Sequence, residues 1–190
     1  MRIKSHWHKA DKQKSVQEVA GAMAFIIWRL AQNSLKHMRG DKFEIEAGPR
    51  YFAVVAEFLI FLIQIADRIA YERLDETMRA EFTTALALRV AETLDENLVD
   101  LGGGADGQNY RQQFISLLNE RAADYANFAY TEAGPDYAFL RYLGTCVMEF
   151  MGEQDKPWIM DQIIEIETPD AVATVRKGMR DLFETPPGAQ

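Results

Sequence analysis

The sequence predicts an all-α, single-domain helical bundle of about seven helices, roughly four of them long. Three observations lead there. Apolar residues recur at helical spacing in each long segment. The prolines Pro49, Pro135, Pro157 and Pro169 stand where an apolar helical pattern begins, where a missing N–H does no harm, and Pro186 and Pro187 close the chain. No segment reads convincingly as a strand.

The first helix is expected over Val16 to Met38. Ser15 and Glu18 form a capping box before it, and Lys36, His37 and Arg39 crowd its last turn ahead of Gly40. Gly21, between Ala20 and Ala22, offers a place for a second backbone to approach. Phe43 to Ala47 alternates and reads as a short extended linker. Its near echo, Ile164 to Glu167, would pair with it only by setting Glu against Glu, so the echo is read as chance. The second helix, Arg50 to Leu74, is apolar nearly all round and is expected to be the central one.

Asp75 is the expected cap of a third helix, Glu76 to Leu101, whose core stripe is Phe82, Leu86, Val90, Leu94, Leu98 and Leu101. Gly102 to Gly107 is a connector. A fourth helix is expected from Gln108 to Thr131, with Tyr110, Phe114, Leu118, Tyr125 and Phe128 inward. A fifth covers Asp136 to Met151. Two short ones follow, Trp158 to Ile164 and Asp170 to Phe183, the latter opened by Thr168, Pro169 and Asp170. In domain terms this is a basic arm over 1–15, a bundle over 16–185 and a tail over 186–190.

Charge is unevenly spread. The net value is −8, yet residues 1–42 carry +6 and the remainder −14. An acidic body disfavours nucleic acid as a partner, because it would repel phosphate. The basic arm is expected to dock on acidic helical surface of its own subunit or of a mate, with Trp7 as its apolar anchor. The single cysteine, Cys146, excludes an intramolecular disulfide and fits a reducing, cytoplasmic setting. It shares an apolar face with Phe139, Leu143, Val147 and Phe150, so it reads as a buried, inert thiol. No apolar leader is evident near Met1. The most apolar stretch, Tyr51 to Ala66, contains Glu57 and falls short of the roughly 20 residues a membrane span needs.

Four features of the sequence bear on chemistry. The histidines are His6, His8 and His37, and none follows an acid by three residues, so a Glu-x-x-His di-iron site is excluded. Glu72/Asp75 and Glu92/Asp95 match half of the four-carboxylate magnesium set of all-α pyrophosphatases, but no Glu-x-x-Glu supplies the other half. Glu92, Asp95, Glu96 and Asp100 share one helical face and read as solvated acid or as a docking face for a basic segment. Glu57, Gln64, Asp67 and Arg68 follow spacings that place them on one side of the second helix. The leading reading is a polar stripe at water or a subunit edge. If the side is interior, it is a hydrogen-bonded network, or it orients a small apolar ligand.

The functional expectation is therefore a non-enzymatic intracellular binding or interaction protein that self-associates, a dimer before other oligomers. No cofactor and no metal are expected. The runners-up are a divalent-cation enzyme using helical carboxylates and a membrane-surface protein using the Trp7 arm.

Overall fold

The structure, a computed structural model, describes residues 14–45, 48–100 and 109–184, without the side chains of 99, 100 and 184. The expected cap at Ser15 is present. Its hydroxyl accepts from the Glu18 amide at 3.2 Å while Glu18 accepts from the Ser15 amide at 2.7 Å, and α1 runs Val16–Gly40. α2 spans Pro49–Tyr71, with proline in its first turn. Asp75 accepts from the Met78 amide at 2.8 Å and opens α3, Glu76–Asp100. Asn109 caps α4, Tyr110–Tyr125, and Asp136 caps α5, Tyr137–Met148. α6, Lys156–Asp161, passes through a π-helical segment, Gln162–Glu167, into α7, Thr168–Glu184. The protein is all-α, and among the described residues the sheet content is one two-stranded pairing.

α2 is the axle, as its all-round apolar character requires. It packs against α1, α3, α4, α5 and α7, and its residues from Val54 to Ala66 are buried without interruption. The other helices bury one stripe each, such as Val19, Met23, Ile27, Ala31, Leu35 and Met38 on α1.

Several expectations need correcting. The fourth helix was expected to continue to Thr131 and stops at Tyr125. Asn127 donates to the carbonyls of Ala123 and Asp124, and Arg68 donates to the Tyr125 carbonyl at 2.9 Å, so the orphan carbonyls are met by side chains. A hairpin follows, pairing Tyr130–Thr131 with Gly134–Pro135, and Pro135 belongs to it rather than to a helix start. Gly134 turns at φ +115°, and Arg176 of α7 holds the tip through the carbonyls of Glu132 and Ala133.

The two short C-terminal helices are one continuous rod. Pro169 therefore lies inside a helical run rather than at a clean start. Its ring would ordinarily clash with the carbonyl four residues back. The π turn just before it changes that register, and Thr168 donates to the Ile164 carbonyl at 3.1 Å instead of capping. The Ile164–Glu167 echo is thus part of a π-helix and joins no strand pairing among the described residues.

Among the described residues no backbone comes close to Gly21, since a Cβ there would meet nothing within 4 Å. The tight glycine is Gly144 of α5, where a Cβ would collide with the Met160 sulfur of α6.

Candidate functional site

The stripe expected on α2 divides in the structure. Glu57 is 1% exposed and Gln64 8%, so neither forms the water-facing stripe that the leading reading offered beside a subunit edge. Asp67 is turned toward α3, where it accepts from the Arg79 guanidinium and from the Thr83 hydroxyl at 2.7 Å. Arg68 is turned toward the end of α4. Its positive charge at a helix C-terminus also complements the helix dipole.

Glu57 is the centre of the most buried polar group. Arg121 of α4 reaches it with Nη2 at 2.9 Å and with Nε at 3.2 Å from both carboxylate oxygens. Arg121 is held more firmly protonated than an ordinary arginine, first by these hydrogen bonds. Its Nη1 also reaches Glu120 at 3.3 Å. Arg121 was not singled out in the sequence, although a signal existed. It lies three residues after Leu118 and four before Tyr125, on the inward stripe of α4, and a charge there requires a buried partner.

Around the pair stands a ring cluster. Tyr125 contacts Phe139 at 4.6 Å and Tyr142 at 4.9 Å between centroids, with Phe61 and Phe128 completing the wall. Burial raises the Tyr125 hydroxyl pKa well above its usual value, and that hydroxyl has no hydrogen-bond partner among the described residues. Tyr142 donates to Asp124. Cys146 completes the group on α5, and burial, then the Glu57 charge, push its thiol up to about 12. At neutral pH it stays a thiol, consistent with an inert core residue. Chemically, the arrangement pairs its own charges: both carboxylate oxygens accept from the guanidinium.

A second polar group joins α1 to the π segment. Gln162 donates to Asp41 at 2.9 Å and to Glu167 at 3.0 Å, and His37 approaches Glu167 at 3.7 Å. Burial raises the Glu167 carboxyl pKa, against the lowering effect of Gln162, Ser34 and His37, while Asp41 adds to the rise. A carboxyl whose folded pKa is raised contributes stability present below its ordinary value of 4.5 and lost as pH climbs through the folded value. Glu167→Gln is therefore expected to gain relative to the wild type as pH rises from 4.5 toward neutrality. Urea midpoints across that range check it, and a constant difference between the two proteins would refute it.

The acidic face of α3 is partly neutralised from within. Glu92 pairs with Arg89 at 3.3 Å and with Arg111 of α4 at 3.6 Å. Asp95 is half-buried and Glu96 exposed. The Asp100 side chain, Trp7 with the rest of 1–13 of the basic arm, and the glycine-rich 102–107 lie outside the described residues. Among those residues, no three His, Cys, Asp or Glu side chains converge as a metal site, and no helix is long and apolar enough to cross a membrane.

Comparison of the chain with protein-family models, with curated proteins and with solved structures gives no match.

Proposed function

We propose that this chain is a non-enzymatic helical interaction protein that acts inside the cell as a homo-oligomer, a dimer in the simplest form. The observation that carries this reading is the apolar surface it presents. Trp158, Tyr71, Tyr137 and Phe25 are each about two-thirds exposed, and Ile166 is 56% exposed. Single exposed apolar residues are ordinary, but large aromatics are the residue type enriched in the anchoring centres of interfaces. The polar groups of the interior point the same way. Glu57, Asp67 and Glu167 are each engaged by a named partner, so they brace the helices rather than wait for a substrate. Among the magnesium candidates, Asp75 caps α3 and Glu92 is held by two arginines.

Light scattering on the full chain tests the reading. The expected result is a mass of more than one 21.7 kDa chain, unchanged by divalent cations and by anionic vesicles. A monomer at every accessible concentration would overturn self-association. Gain of mass only with vesicles would favour the membrane-surface alternative.

A further inference from the structure

The C-terminal turn of α1 and the π segment form one end of the bundle, and that end is complementary to itself. The contact between them is direct: Gln162 bonds Asp41, and His37 approaches Glu167. Gln162 and Glu167 thus face α1, while Ile159 and Ile163 are buried in the core. Trp158 lies one helical turn before Gln162, on the adjoining outer side. Ile166 falls near it. In an unbroken α-helix two residues eight apart are offset by about 80°, and the slower rotation of the π turn reduces that offset. Asp161 and Glu165 lie on the side of Trp158 turned away from α1. On the other side, at the end of α1, stand Lys36 and Lys42; the exposed Asp41 between them is engaged by Gln162, and Arg39 falls on the far side of α1 from Glu167. The side chains of Lys36, Lys42, Asp161 and Glu165 are all exposed. None of them forms an ion pair among the described residues.

Across this surface the order is therefore base, apolar, acid. A twofold axis through the apolar strip sets the lysines of one copy over the acids of the other, and the acids over the lysines, with Trp158 and Ile166 at the centre. The same patch then serves both subunits. A basic or acidic partner of another kind would satisfy only half of the surface. We infer that this end of the bundle is an isologous interface for a second copy of the chain, anchored by Trp158 and Ile166 and kept in register by Lys36 and Lys42 against Asp161 and Glu165. The apolar centre supplies affinity, and the flanking charges fix orientation and exclude wrong partners. This rests on the self-association proposed above and names its surface.

The experiment uses the full chain and two charge-reversed variants, Lys36→Glu/Lys42→Glu and Asp161→Lys/Glu165→Lys, with melting curves to establish that each folds. Sedimentation equilibrium should give two copies of the 21.7 kDa chain for the wild type. Each variant alone should dissociate, its dimer dissociation constant rising about tenfold or more, because like charges then face each other. An equimolar mixture of the two variants should regain the dimer mass, since every reversed side chain meets its opposite across the axis. Trp158→Ser should raise the dissociation constant about 30-fold, the effect of losing a central anchor. If the wild type dimerises and either variant matches it, self-association stands and this surface is wrong. The twofold pairing is overturned if both variants dissociate but their mixture does not recover. A monomeric wild type would overturn both proposals together.

Discussion

Arg121→Met is expected to destabilise the protein by about 4 to 5 kcal/mol, because it leaves the Glu57 carboxylate without its partner in the core. Glu57 is 1% exposed, so no solvent reaches it to compensate. The reverse substitution is milder. Glu57→Leu strands a guanidinium that is 14% exposed and still has Glu120 within 3.3 Å, so a loss of about 3 kcal/mol is expected. The double variant, Glu57→Leu with Arg121→Met, should recover most of either loss, since a well-packed apolar pair is often as stable as a buried ion pair. Denaturant unfolding of the four proteins closes the cycle. Additive losses in the double variant would show that the two side chains do not act as a pair.

Ile60→Asp is the second large effect. Ile60 is fully buried in the middle of α2, with Leu59 and Phe61 beside it and no exposed neighbour from Val54 to Ala66. An aspartate there either carries an uncompensated charge or takes up a proton to avoid it, and it also loses the packing of the isoleucine. A loss of roughly 4 kcal/mol or more is expected, among the largest that single substitutions produce. Thermal melting monitored by circular dichroism checks it. Wild-type stability would mean that α2 is not the axle around which the other helices pack. The comparison with Arg121→Met is informative, because one variant introduces a charge where none has a partner and the other removes the partner of a charge already there.

The sequence by itself determined the helical class, the caps at Ser15 and Asp75, and the central position of α2. These are local properties. A capping hydroxyl or carboxylate bonds an amide three residues on, and a helix apolar on every side has nowhere stable to be except among other helices. The burial of Cys146 was legible for the same reason, from its place on an apolar stripe. Only the tertiary structure decided which way the polar residues of α2 turn. Glu57 is interior because Arg121, sixty-four positions later, reaches it from α4, and Asp67 turns to α3 because Arg79 and Thr83 meet it there. Helical spacing places side chains on a face of one helix, but the neighbour that covers that face is chosen by packing across the bundle. The end of α4 followed the same rule, since Arg68 from α2 takes its last carbonyl where local pattern alone continued the helix to Thr131. So did the C-terminal rod. Pro169 reads locally as a start, and the helix passes through it because Gln162 and Glu167, bound to α1, hold a π turn whose register accommodates the ring.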